Sequence, residues 1–235
     1  MAALAIPTSA LASGSIGIAV AQSSQPYRSY KDDTIPAPFV SWEGQRFYFR
    51  GADVGFKLVE GQSSTLSVAV SPVLNRYKAR DSSDLRMRQL DDRRFLGAAG
   101  VDWKVHGSWG VVNAKLQAEI TGVGGMLADL KYSYPMPIGK VIVVPEIGAA
   151  YQSEEITRHY YRVSENEAAR SGMKQYTPGD SLTPYGGVTL IMPLSEKWSA
   201  TASIRRAVLS NSITNSPMTN SDFQDTAVIT LSRAF

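Results

Sequence analysis

The segment VNAKLQAEITGVGGMLADLKYSY, Val112 to Tyr134, decides the fold. In its first half Val112, Ala114, Leu116, Ala118 and Ile120 alternate with Asn113, Lys115, Gln117 and Glu119. In its second half Met126, Ala128, Leu130, Tyr132 and Tyr134 alternate with Leu127, Asp129, Lys131 and Ser133. Successive side chains of a strand point to opposite faces, so each half has one apolar and one mostly polar face. A helix would need apolar residues three and four apart, which neither half supplies. Thr121-Gly122-Val123-Gly124-Gly125 predicts the turn of a hairpin, its glycines tolerating positive φ. Two surroundings suit such strands. One is a soluble sandwich or barrel with its apolar faces inward; the other is a membrane barrel with lipid outside and a polar lumen.

The 235 residues are enough for one large β domain or two small ones. With 24 basic and 21 acidic residues the net charge is +3, and no Lys/Arg run marks a nucleic-acid partner. Cysteine is absent, which excludes disulfides, thiolate metal sites and thiol catalysis. No apolar run approaches the ~20 residues of a membrane helix, so any span must be built of strands.

Residues 1–12 end in Ala10-Leu11-Ala12, the small-x-small pattern of a signal-peptidase site, without the basic start of a complete signal. They are expected to be a residual signal-peptide-like segment, followed by one barrel domain over residues 13–235. Ser15 to Ala21 opens the strands. Ile35 to Trp42 and Arg46 to Leu58 then fold about Glu43-Gly44-Gln45, and Leu66 to Ser71 follows. Asn75 to Arg94 is strongly charged with mixed signs and reads as a solvated loop or a lumen-facing segment. Phe95 to Val105 leads into the opening hairpin, and Pro135 to Gly139 is expected to be a tight turn before the strand Val141 to Gln152. A long loop spans Ser153 to Thr183, with a helix-like Glu165 to Met173 in which Ser164 and Glu167 have the spacing of a capping box. Tyr185 to Met192, Trp198 to Arg206 and Thr226 to Phe235 are the last strands.

The membrane version fits better. The polar faces carry Asp102, Lys104, Lys115, Glu119, Asp129, Lys131, Glu146 and Arg205, expected to face a hydrated lumen. The apolar faces are rich in Ala, adequate against lipid but weak as a packed core. Trp42, Trp103, Trp109, Tyr132, Tyr134, Tyr151 and Trp198 sit near strand ends, where a membrane interface would hold them. The chain stops on a strand at Phe235, a terminal aromatic of the kind read as a barrel-assembly signal. The fold expected is all-β: a closed antiparallel transmembrane barrel, because backbone facing hydrocarbon must be paired. Single-chain bacterial barrels have even strand numbers, whereas the segments above number eleven. One strand is therefore missed in Asn75 to Arg94 or Ser153 to Thr183, or miscounted near Arg46 to Ser71. About 12 strands are expected, with 10 as the alternative.

Several motifs carry a resemblance. Tyr27-Arg28-Ser29-Tyr30-Lys31, Pro36-Ala37-Pro38, Trp42-Glu43-Gly44 and Phe47-Tyr48-Phe49-Arg50-Gly51 resemble the first third of the MipA/OmpV family. So do Asp81-Ser82-Ser83-Asp84 and Met87-Arg88-Gln89-Leu90-Asp91-Asp92-Arg93. Farther on, Tyr160-Tyr161-Arg162-Val163-Ser164, Glu167-Ala168-Ala169-Arg170-Ser171-Gly172, Tyr176-Thr177-Pro178 and Asn215-Ser216-Pro217-Met218 extend it to the terminal strand. The resemblance implies an outer-membrane barrel of a Gram-negative bacterium, in contact with outer-membrane lipid and the barrel-assembly machinery. The family name means MltA-interacting protein. It implies a non-catalytic scaffold for murein enzymes, a lytic transglycosylase and a penicillin-binding protein; other members are described as porin-like, so a narrow channel for small solutes is the alternative. Arg233, two residues before the end, departs from the pattern, since it shares a face with Ile229, Leu231 and Phe235. A long side chain near the interface can snorkel.

Asp81, Asp84, Arg88, Asp91, Asp92, Arg93, Tyr160 and Arg170 are expected to dock a partner or to pair inside the lumen. Asp91-Asp92 with His159, or either His106 or His159 with a serine, could imitate a hydrolase site, but a base must reach its nucleophile. Neither histidine stands in a recognisable motif, and no enzyme, cofactor or metal site is expected. Gly122-Val123-Gly124-Gly125 is not a phosphate loop, because no helix or Lys follows.

Overall fold

The computed structural model describes residues 13–235; the signal-peptide-like reading of residues 1–12 lies outside them. Thirteen strand segments form one antiparallel sheet. In chain order they are β1 (Ser13–Ser23), β2 (Asp33–Glu43), β3 (Phe47–Arg50), β4 (Asp53–Glu60), β5 (Ser64–Val73), β6 (Leu96–Gly107) and β7 (Gly110–Glu119). After them come β8 (Met126–Ser133), β9 (Met136–Ile138), β10 (Val141–Gln152), β11 (Ser181–Pro193), β12 (Trp198–Val208) and β13 (Phe223–Ala234). Both β8 and β9 pair with β10; they are halves of one strand interrupted at Tyr134-Pro135, where proline offers no N–H to the ladder. The wall therefore has twelve strands, thirteen segments with two fused. The first and last meet in a ladder from Ser15↔Ala234 to Ser23↔Thr226, and β10 pairs with β11, so the ring is closed.

Two sequence expectations need correction. Arg46 to Leu58, expected as one strand, is the short hairpin β3–β4, which turns at Gly51 (φ 65°) and Ala52. This is the uncounted strand, and it settles the parity. Pro135 to Gly139 is not the turn: the chain stays paired through Ile138 and reverses at Gly139 (φ 62°) and Lys140.

The greasy faces point outward. Leu130 is 58% exposed and Ile204 62%, while Asp102, on the opposite face of its strand, is 7% exposed. This is the inverse of a soluble barrel and suits hydrocarbon outside with water within. Residues 44–46, 61–63, 108–109, 139–140 and 194–197 make short turns at the end of the barrel that also holds residues 13 and 235. Exposed Phe47, Phe49, Trp103, Trp109, Tyr132, Tyr134 and Trp198 gather toward that end. There Tyr132 donates to the Trp109 carbonyl at 2.6 Å, and the Phe47 and Phe56 rings lie 4.9 Å apart. Such a belt places the turn end at a membrane–water interface.

Residues 24–32, 74–95, 120–125, 153–180 and 209–222 connect strands at the other end. The buried hydrophobic cluster is built almost wholly from them: Tyr27, Tyr77, Met87, Tyr160, Tyr161 and Met218 are all 3% exposed or less. The barrel wall faces lipid and water, so the oil-like packing of a soluble core is found only where the loops fold onto one another.

Candidate functional site

The loop end is a plug. Helix α1 (Glu154–Tyr161) buries Ile156, Tyr160 and Tyr161, and helix α2 (Glu165–Ser171) follows after three residues. Ser164 caps α2 in a full capping box with Glu167, as its sequence spacing suggests, and Gly172 ends it in the left-handed conformation (φ 69°). The four-residue helix α3 (Asn211–Thr214) adds buried Ile213. Tyr27 is the hub, with ring centroids 4.9 Å from Tyr77, 5.5 Å from Tyr30 and 5.6 Å from Tyr161. Such tilted aromatic pairs add to the apolar burial itself.

Charged groups tie the plug together. Arg93 Nη2 donates to Glu167 Oε1 at 2.6 Å and to the Arg162 carbonyl at 3.1 Å, and the Asp91 N–H donates to the same carboxylate at 3.0 Å. Arg170 Nη2 meets Asp91 Oδ1 at 2.5 Å, and its Nε donates to the Gln89 carbonyl. Asp92 accepts from the Ala79 N–H, Asp84 from Arg86, and Arg88 donates to the Ser82 carbonyl. Tyr160 is fully buried, with its hydroxyl 3.4 Å from the Arg94 carbonyl. Of the residues expected to dock a partner, Asp81 and Asp84 make only local pairs, with exposed Arg80 at 3.7 Å and exposed Arg86 at 3.0 Å. Asn75 to Arg94 is thus neither simply solvated nor lumen-facing: Tyr77, Met87 and Leu90 anchor it in the plug, and its charges engage neighbouring loops. Burial would raise the Glu167 carboxyl, but the N–H groups of Ser164 and Asp91 and the Arg93 guanidinium outweigh it and hold the pKa down to about 2.

Within the barrel, two side-chain networks run along the wall. Lys115 Nζ reaches Asp53 Oδ2 at 2.6 Å and Asp102 at 3.9 Å, while Asn113 donates to Asp102 at 2.5 Å. On the other side Glu146 accepts Arg205 at 2.6 Å and Lys131 at 3.5 Å. The Tyr185 hydroxyl donates to Asp129 at 2.9 Å, beneath the Arg205 guanidinium. Lys104 is half-buried on the same inner face. Glu119 departs from the expected lumen role. It stands at the last position of β7 and folds onto the following turn, where its carboxylate accepts the N–H groups of Thr121, Gly122, Val123 and Gly124. Consecutive N–H groups in a glycine-rich turn form an anion nest, which this residue fills itself.

A chamber of about 240 Å³ remains under the plug, bounded by Asp129, Gln152, Tyr161, Tyr185, Arg205 and Ile213 among others. The residues raised as a hydrolase imitation are not assembled. His159 Nε2 faces the Arg94 carbonyl at 3.2 Å, burial lowers its pKa, and Asp91 and Asp92 are engaged elsewhere. His106 stands at the turn end, far along β6. Asp53, Tyr185 and the tyrosine hub escaped sequence reading. Asp53 was concealed because an unbroken strand would have put it on the lipid face with Phe47 and Phe49.

The family model described as MltA-interacting protein MipA matches residues 16–235. Outer membrane protein YiaT of Escherichia coli (strain K12) is 34% identical over 222 residues, 93% of this chain and 90% of that protein. MltA-interacting protein of the same organism is 34% identical over 207 residues, 87% of this chain and 83% of that one. Outer membrane protein OmpV of Vibrio cholerae is 24% identical over 57% of this chain and 52% of its own length. Among solved structures, a porin is matched over 96% of this chain and 99% of its own at 7% identity, with a TM-score of 0.37. The outward apolar wall, the closed ring and these relatives agree on an outer-membrane β-barrel, and the chain belongs to the MltA-interacting protein (MipA) family.

Proposed function

We propose that this outer-membrane barrel is a non-catalytic scaffold that holds a murein lytic transglycosylase, and with it a penicillin-binding protein, against the inner side of the outer membrane. The observation that carries the reading is the relative named for its interaction with MltA, 34% identical over 87% of this chain. The topology supports one choice of docking surface. Barrels of this class keep short turns in the periplasm and long loops outside, and murein enzymes work in the periplasm. At the loop end Arg93 is committed to the buried Glu167 carboxylate, and Arg170 to Asp91 at the surface. Docking then falls to the turn end, through exposed side chains such as Gln45, Trp109, Lys140, Glu196 and Lys197. The test is capture from detergent-solubilised envelopes. The intact barrel is expected to retain a murein lytic transglycosylase, and Lys140→Glu with Lys197→Glu to release it. Capture of no murein enzyme, or release on changing Asp81 and Arg80 instead, would sink the proposal. A narrow solute channel is the second reading, favoured by the chamber beneath the plug, which Asp129, Gln152 and Arg205 help to line.

A further inference from the structure

The barrel wall is incomplete on one side. β3 is only four residues long, and its last pair with β2 is Ser41↔Arg50. One more bond follows, from the Gly51 N–H to the Val40 carbonyl at 3.0 Å. Beyond it, residues 33–39 of β2 pair with β1 alone. On the far side, β4 stops at Val54↔Val70, while Ser71, Pro72 and Val73 of β5 continue with β6 alone. Among the described residues no ladder joins β2 to β5. Gly51 and Ala52 form the sill of a window whose uprights are β2 and β5. Loop contacts form its lintel: Ser83 N–H to the Ser29 carbonyl at 2.9 Å, the Ser82 hydroxyl to the Arg28 carbonyl at 3.1 Å, and Lys78 N–H to the Tyr30 hydroxyl at 3.0 Å.

Both uprights are edited with proline. The Val40 carbonyl points toward the hairpin, so the backbone groups of Pro38 and Pro36, two and four residues away, point into the window. On β5 the Ser64 carbonyl accepts from Gly61, on the β4 side, so Pro72, eight residues on, also points into the window. Three donors that would face hydrocarbon unpaired are therefore missing, and such donors are strongly unfavourable there. The same change denies the edge to an added strand from another protein or a second copy, which needs those N–H groups. What can occupy the gap is a molecule that asks for no backbone partner.

The β1–β2 side of the window is apolar within, whereas β5 turns Ser71 inward, where Gln117 donates to it at 3.2 Å, and Asp53 stands beside the sill. Ile35, Ala37 and Phe39 face inward, opposite Ala21, Ala19 and Gly17 of β1, and Val228 lies beyond Ala21. Elsewhere the inner face carries Asp102, Lys115, Glu146 and Arg205. Outside, exposed Val20, Val40 and Val70 hold the window within the lipid-facing band. An apolar strip of β1 and β2 thus lines one side of the opening from the membrane inward, bordered by Thr230 and Ser232 of β13. We propose that this window is a lateral portal through which the acyl chain of a membrane lipid enters the barrel and lies along Ile35, Ala37 and Phe39.

The test uses the whole barrel in phosphatidylethanolamine vesicles doped with a phospholipid bearing a diazirine at the end of one acyl chain. After irradiation, peptide mass spectrometry is expected to find adducts on Ile35, Ala37 and Phe39 as well as on outward Ile18 and Ile204. Inward Asn113 and Lys131, across the lumen, should stay unlabelled. Ala37→Asp with Phe39→Asn should lose the inner adducts and keep the outer ones. Labelling confined to outward residues, or equal labelling of Asn113 and Lys131, overturns the proposal. Should the double variant fail to fold, the chain's lack of cysteine makes Ala37→Cys a unique nitroxide site. Its label should collide more with oxygen than with a water-soluble nickel chelate, and the reverse order overturns the proposal equally.

Discussion

Glu167 is the residue on which the plug turns. Its carboxylate closes the cap of α2, receives the Asp91 N–H and meets Arg93, so one side chain joins the 74–95 and 153–180 loops. Its side chain is 3% exposed, and Arg93 is 11%. Removing one partner of such a buried pair leaves the other charged and unmatched, which costs about 3 kcal/mol or more. Glu167→Gln is expected to lower the opening free energy of these loops by about that amount, read as faster hydrogen exchange at Asp91 and Ala168 with the wall strands unchanged. The pH dependence has a definite sign. The folded pKa of about 2 lies below the ordinary 4.5, so ionisation favours the closed plug. This contribution is complete above pH 4.5 and fades as pH falls toward 2. Loop protection in the native chain should decline across that window, and the decline should be absent in Glu167→Gln. A native profile that stays flat from pH 4.5 to 2 would show that Glu167 does not hold the loops.

Among elements, the β3–β4 hairpin has the largest consequences. Arg50↔Asp53 pairing turns Asp53 inward, where Lys115 reaches it across β5 and β6, past the small Ser67 and Ala69. A charge-assisted hydrogen bond of this type contributes about 1.5–3 kcal/mol. Lys115→Gln should therefore lower the urea midpoint of the folded barrel, and Asp53→Asn should lower it less, since Lys115 keeps Asp102 at 3.9 Å. The double variant should recover part of the sum. Strict additivity in this cycle would mean that the pair does not interact. The hairpin also marks where sequence reading stopped. Alternation persists on both sides of Gly51-Ala52, and a two-residue turn removes too little pattern to be seen; only the odd strand count betrayed it. The capping box of α2 was legible because both partners lie three residues apart. The plug was not: Tyr27, Tyr77 and Tyr161 come from three loops, each polar in composition, and nothing local announces that they meet. The lipid-facing wall was legible throughout, because a period of two survives in every long strand.

Across the whole molecule, two kinds of interior sit in one barrel. The wall networks join neighbours along the sheet, Asp53 of β4 to Lys115 of β7 and Glu146 of β10 to Arg205 of β12, and do not span the lumen from side to side. The plug closes the loop end by packing Tyr160, Tyr161, Ile156 and Met218 to complete burial or nearly so. Closure to ions is thus expected of the plug rather than of the charged wall. The native barrel in a planar bilayer is expected to give no conductance steps above background. A variant in which residues 154–173 are replaced by a short Gly/Ser linker should conduct, because it removes α1, α2, Tyr160 and the hub's Tyr161 while leaving every wall strand paired. Its conductance should favour neither sign of ion strongly, since Lys115 and Arg205 are balanced by Asp53 and Glu146. Native steps of the same size as the variant's would mean that the loops are no seal. A silent variant that still shows heat-modifiable migration would mean that the wall side chains close the lumen themselves.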